Sequence, residues 1–192
     1  YDRALAKPLF WEQSARLVEG PRIWDALRAQ GRKTGLLFWQ QSLGESADVI
    51  LSPRPIHKHH GGMIQDCYSQ PADLYARLSA KIGRPFDLMR YWGPLAGFKS
   101  SEWIAEAAQE VMRDPALAPD LLLAYLPHLD YDLQRFGPDS PQAFQSLEKI
   151  YTLLSNLWKT AAETGYEILI FGDYAPETAA GAVFPSRLRR EQ

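Results

Sequence analysis

The chain has a single cysteine, Cys67. One cysteine excludes an intramolecular disulfide, and Cys67 lacks the surroundings of a nucleophile, so it reads as structural. Long apolar runs are missing as well. Stretches such as Leu121–Leu126 fall far short of the roughly 20 residues that a membrane helix needs. Neither sign of charge dominates: Lys and Arg number 21, Asp and Glu 23, for a net charge of −2. With no basic block, the sequence argues against a nucleic-acid polymer gripped through its phosphates. There is no glycine-rich phosphate loop and no nucleophile elbow. Internal repeats and low-complexity segments are also absent.

What is present is ordinary globular material, 46% apolar and 23% charged over 192 residues. That length suits one domain, or a domain with a small appendage, and buries a core without staples. Pro21 suits a first helical turn, Ile23, Trp24, Ala26 and Leu27 give that helix an apolar face, and Gly31 stops it. Leu36–Trp39 and Asp48–Leu51 read as buried strands. Prolines and glycines make Ser52–Gly62 a loop. Helices are expected over Pro71–Ile82 and from Ser100 or Ser101 to about Met112. Asp120–Leu126 is an apolar strand. Ser140-Pro141 then opens a helix whose Phe144, Leu147, Tyr151, Leu154, Trp158 and Ala161 recur at spacings of 3, 4, 3, 4 and 3. Gly165 closes it and Glu167–Phe171 reads as the next strand. Strand, helix, strand makes a βαβ unit with parallel neighbours, and the apolar stripe is expected to pack on the sheet. The fold class is α/β, around a partly parallel sheet flanked by helices.

Two acidic clusters follow apolar strands: His128, Asp130 and Asp132 in one, Asp173 in the other. In open α/β sheets, ligands bind beyond the carboxyl ends of the strands, so Asp130 and Asp173 are expected on one rim. Two converging carboxylates call for a divalent cation, and imidazole with carboxylate suits zinc or another first-row metal. The alternative is ordinary turn chemistry at strand ends. His57, His59 and His60 lie in a Gly/Pro loop without fixed ligand geometry; one or two pointing at substrate is the simpler reading. Phe38, Trp39, Tyr91 and Trp92 offer either a stacking wall or core.

Four segments together carry a family likeness. Tyr1-Asp2 resembles the end of an Asn-x-x-Tyr-Asp segment. Gly20-Pro21-x-Ile23-Trp24, with Gly31 and Phe38-Trp39, resembles a Pro-Ile-Trp…Gly…Phe-Trp stretch. Asp130 through Phe136-Gly137-Pro138 resembles Pro-Asp-x-x-Gly-His-x-Tyr-Gly-Pro, and Phe171-Gly-Asp173-Tyr174-Ala resembles Ser-Asp-His-Gly. The order and spacing resemble the type I phosphodiesterase/nucleotide pyrophosphatase branch of the alkaline phosphatase superfamily. The resemblance implies an alkaline phosphatase-like core in residues 1–51 and 120–192, with a loop-rich, cap-like lobe inserted at 52–119. It implies two divalent metal ions, zinc by expectation, with Asp130 a ligand of one and Asp173 of the other. It also implies hydrolysis of a small phosphodiester or nucleotide through a phospho-enzyme. The nucleophile precedes Tyr1-Asp2 in the family's motif order, so the chain reads as an internal excerpt, inactive alone and able to self-associate. Trp39, His57 and His59 are the substrate-binding candidates. Two positions depart from the pattern: Gln134 and Tyr174 stand where the family has histidines. Gln134 and Tyr174 remain candidate ligands, poorer for zinc than imidazole; the metal pair would then be weakened, filled by a harder ion, or partly completed by His128 or Asp132. Rival readings are a phosphomonoesterase or phosphonate hydrolase of the same superfamily, and a binding domain whose metal site has decayed. Compartment is left open.

Overall fold

The computed structural model describes residues 12–58, 60, 62–172 and 174–181. A one-turn helix α1 (Asp25–Ala29) leads into strand β1 (Thr34–Leu37) and strand β2 (Val49–Pro53). A short hairpin follows, β3 (Ile56–His57) with β4 (Met63–Ile64), and then β5 (Cys67–Gln70). Next come α2 (Leu74–Ile82), α3 (Phe98–Arg113), β6 (Leu121–Ala124), α4 (His128–Phe136) and α5 (Pro141–Thr164). The main sheet runs β5-β2-β1-β6. β2 and β6 both lie parallel to β1, and β5 returns antiparallel on β2.

Every residue of β1 and β2 is buried, as expected of central strands covered on both faces. Alternation along each strand splits them between two cores. Leu37, Val49 and Leu51 join α2, α3 and α5 in the larger cluster, around Trp103, Ile104 and Val111. Leu36 and Ile50 point the other way, onto Trp24 and Ala47. Gly35 lets β6 come close: a Cβ there would sit 2.9 Å from both Leu122 Cδ1 and Pro119 Cγ. Of segment 52–119, expected as an inserted lobe, β5 pairs with β2 and α2 and α3 enter the main core. Among the described residues, the β3–β4 hairpin forms a second, two-stranded sheet.

Helix α5 begins and ends as its sequence dictates. Ser140 Oγ accepts from the Ala143 amide at 3.1 Å, Pro141 takes the first turn, and Gly165 closes the helix at φ 80°. Its orientation corrects the sequence reading. The side chains that face inward are Ala143, Ser146, Ile150, Leu153, Leu157, Thr160 and Ala161. Phe144, Leu147, Tyr151 and Trp158 are exposed. Polar bonds fix this rotation: Ser146 donates to Asp132 of α4, and Thr160 Oγ1 donates to Gln109 Oε1 of α3 at 3.0 Å. Arg113 Nη2 reaches the same hydroxyl at 2.7 Å.

A second correction concerns Glu167–Phe171. The chain turns back after Gly165, held by the Tyr166 amide on Ala161 O at 2.9 Å and by the Tyr166 hydroxyl on Pro119 O. It then runs on without strand pairing, and Leu169, Ile170 and Phe171 are exposed. The βαβ unit is thus not closed, and β6 ends the sheet among the described residues.

Candidate active site at the carboxyl rim of the sheet

Strand order locates the site. β1 is followed by β2 on one side, while β6 lies on the other side. Connections therefore diverge at the carboxyl end of β1, where ligands bind in sheets of this kind. The turn leaving β1 is strained: Phe38 and Gln41 have φ of 55° and 49°, values that non-glycine residues rarely take. A buried side chain from elsewhere holds it there. Gln13 Nε2 donates to Gln40 Oε1 at 3.0 Å, and Gln13 Oε1 accepts from the Gln41 amide at 3.1 Å. Ser42 Oγ adds a bond to Trp39 O at 2.7 Å. Sequence reasoning missed Gln13, since nothing in a lone glutamine signals a clamp. Gln13→Ala would strand the Gln41 amide, and a loss of about 1–3 kcal/mol is expected in urea denaturation.

The turn presents Trp39 to a groove of about 960 Å³ that also takes in Leu126, Asp130, Leu154, Ile168 and Tyr174. Trp39 meets Phe171 edge-on at 6.4 Å between ring centres. Of the two readings of the four rings, a stacking wall or core, core holds for two of them. Phe38 and Tyr91 belong to the core, packed with Phe86 at 4.4 and 5.7 Å.

Asp130 lies in the first turn of α4 rather than in a solvated turn. At 100° per residue a helix sets positions two apart on opposite faces and positions four apart on the same face. That geometry divides the first acidic cluster. Asp130 and Gln134 share one face, where Gln134 Nε2 donates to Asp130 Oδ2 at 2.8 Å. The Tyr174 hydroxyl donates to Asp130 Oδ1. His128 and Asp132 share the opposite face. Asp132 accepts from Ser146, and the His128 ring packs edge-on against Phe98 at 5.1 Å. His128 and Asp132 thus lie on the face of α4 away from Asp130.

Both ring nitrogens of His128 are buried without a hydrogen-bond partner. Burial lowers its pKa, Asp132 opposes the shift, and Lys149 adds to it. The folded state thus prefers neutral His128, whereas the unfolded chain protonates near pH 6.5. Stability is expected to hold above that pH and to decline as pH falls below it. Denaturant midpoints between pH 8 and 5 test this, and His128→Phe should flatten the decline.

Asp173 and His59 lie outside the described residues, as does the side chain of His57, whose backbone sits in β3. The shared rim of Asp130 and Asp173 is therefore not addressed. His60 is exposed at the hairpin turn. Cys67 is buried in β5, and burial pushes its thiol far above the ordinary range, which leaves it inert.

A family model described as type I phosphodiesterase / nucleotide pyrophosphatase matches residues 1–191. The chain belongs to this family. Members of the type I phosphodiesterase/nucleotide pyrophosphatase family hydrolyse phosphodiester or pyrophosphate bonds, and the mostly parallel α/β sheet is consistent with an alkaline phosphatase-like core. Nothing among curated proteins matches the chain, and nothing among solved structures does. No helix among the described residues is long and apolar enough to cross a membrane.

The two zinc ions implied by the family likeness can be tested against the donors at hand. Among the described residues no three His, Cys, Asp or Glu side chains converge as a metal site. Among the described residues, Asp130 at the rim accepts from an amide and a phenol. These described donors do not by themselves make up a zinc site.

Proposed function

We propose that this chain carries part of the active site of a hydrolase acting on a small phosphodiester or a nucleotide pyrophosphate. The reading rests on the family match over residues 1–191. Supporting it is the placement of Asp130 and Trp39 on one groove at the carboxyl end of β1. The reaction runs through a phospho-enzyme, and the nucleophile precedes the Tyr1-Asp2 segment in the family's motif order. Asp130 is an acceptor fixed in position by Gln134 and Tyr174. Trp39, Leu126 and Leu154 line the groove and hold the non-reacting part of the substrate away from water, which strengthens polar contacts at the reacting phosphate. No step is assigned to a metal ion.

The test is hydrolysis of bis(p-nitrophenyl) phosphate with added zinc or manganese. A longer chain carrying the upstream family motifs should turn it over. Residues 1–192 alone should not, because parts of a catalytic unit do not act separately. Turnover by residues 1–192, abolished by Asp173→Ala, would overturn the placement of the nucleophile. A second reading, a ligand-binding domain without catalysis, is favoured by the engagement of Gln134 and Tyr174 with Asp130. A longer chain that binds nucleotides without hydrolysing them would establish it.

A further inference from the structure

We propose that Gln13 is the positioning residue for Trp39. It holds the turn after β1 in the strained form that presents the indole to the groove, where the indole serves as a platform for an aromatic ring of the substrate. The proposal rests on the hydrolase reading of that groove and deepens it, because it names what sets the grip on the non-reacting part of the substrate.

The turn is an arch with two footings. At one of them Phe38 has φ 55° and is 1% exposed. Its amide donates to Leu51 O at 2.6 Å, and its ring is wedged against Phe86 and Tyr91 at 4.4 and 5.5 Å. The core therefore secures this end. At the other footing Gln41 has φ 49°, and its hold is polar. Its amide donates to Gln13 Oε1 at 3.1 Å, and its side-chain Nε2 donates to Glu12 O at 3.4 Å. Trp39 and Gln40 span the gap, with Gln40 Oε1 accepting from Gln13 Nε2 and Trp39 O accepting from Ser42. A non-glycine residue held at positive φ relaxes once its restraint is removed. Without Gln13 the second footing gives way while Phe38 stays in place, and the side chain carried on the moving span is Trp39.

Gln13 is itself fixed. It is 6% exposed. The Leu43 amide donates to Gln13 O and the Ala15 amide to Leu43 O, each at 2.9 Å, in a parallel bridge between Ser14 and Leu43. Farther along, Arg22 donates to Ala15 O at 3.2 Å and to Val18 O at 2.7 Å and pairs with Glu45. Arg22, Gln40, Gln41 and Glu45 line the same groove as Trp39, so residues 12–15 brace one whole wall of it. A glutamine suits position 13 because one amide group both accepts from a backbone N–H and donates to a side-chain oxygen. An apolar residue would fill the space and meet neither need.

The experiment is a double-mutant cycle read as ligand affinity. Four forms of the 192-residue chain are compared: the parent sequence, Gln13→Ala, Trp39→Ala and the double variant. The probe is bis(p-nitrophenyl) phosphate, titrated by calorimetry, with circular dichroism as a check on folding. A residue that acts through Trp39 has nothing left to act on once Trp39 is gone, whereas a general loss of structure weakens binding in either background. Should Gln13→Ala fail to fold, Gln13→Asn, which keeps the amide and shortens its reach, takes its place in the cycle.

Trp39→Ala should weaken the probe about tenfold, as loss of a stacked ring does. Gln13→Ala should weaken it at least about threefold, the effect of a misplaced contact. The double variant should bind no more weakly than Trp39→Ala alone. In a longer chain that hydrolyses the diester, both single variants should raise KM and leave kcat in place, because the lost contact is one made equally in ground and transition states. Unchanged affinity in Gln13→Ala would overturn the proposal. The same fractional loss in both backgrounds would do so too, as would a parent chain that does not bind the probe. A longer chain that binds the diester without hydrolysing it would sink the hydrolase reading and leave the cycle intact, so the two failures are separable.

Discussion

Trp103→Ala is expected to cost about 3–5 kcal/mol of folding stability, while Trp158→Ala, on a helix with equally regular apolar spacing, should change it by less than about 0.5 kcal/mol. Trp103 is 1% exposed. Its ring meets Phe86 at 5.3 Å, Phe38 at 6.1 Å and Tyr75 at 6.2 Å, and its indole N–H donates to Arg84 O at 3.0 Å. Truncation would empty the space between α2, α3 and the sheet and remove the donor to the Arg84 carbonyl. Since a domain has only about 5–15 kcal/mol in total, much of the population would unfold under mild urea. Trp158 is 58% exposed, so its removal opens no cavity. Equal losses from the two variants, read from urea midpoints, would mean that α5 is rotated from the arrangement described.

Gly35→Val is expected to cost about 1–3 kcal/mol, toward the upper limit because the added atoms meet a ring that cannot swing away. A Cβ at this position already comes within 2.9 Å of Pro119 Cγ and Leu122 Cδ1. Proline is a poor neighbour to displace, and Leu122 is paired with Gly35 in the β1–β6 register. The strain would be relieved by pushing β6 outward, which shifts the segment leading to Asp130 relative to Trp39. A lower urea midpoint is the expected readout. An unchanged midpoint would mean that β1 and β6 are less closely apposed than described.

Much of the scaffold could be read from the sequence because local signals and burial agreed. The apolar runs of β1, β2 and β6, the Ser140-Pro141 start of α5 and its Gly165 stop each appear within a few residues of the expected place. The rotation of α5 could not be read. Its exposed stripe and its buried stripe are both spaced by threes and fours, and the exposed one carries the larger rings. What decides between them is polar: Ser146 and Thr160 have partners on α4 and α3, and those partners are distant in sequence. The same holds at the site. Asp130 was legible as a residue beyond a strand. The opposite directions of Asp130 and His128 were not, because alternating residues converge only on a strand and this segment is helical. Gln13 was invisible for a related reason, as its work is done 27 and 28 positions away, on Gln40 and Gln41.

The pairing of β1 with β6 also has a consequence in time. Gly35 and Leu122 lie 87 positions apart. At typical translation rates that separation is roughly 4–17 s of synthesis. β2, by contrast, follows β1 almost at once and can pair as soon as both have emerged. For those seconds the nascent chain offers one complete edge of β1, apolar on both faces, with its proper neighbour not yet made. Such an edge is a template for any other strand within reach. The interval ends only when β6 has left the ribosome, and slower elongation lengthens the exposure instead of relieving it.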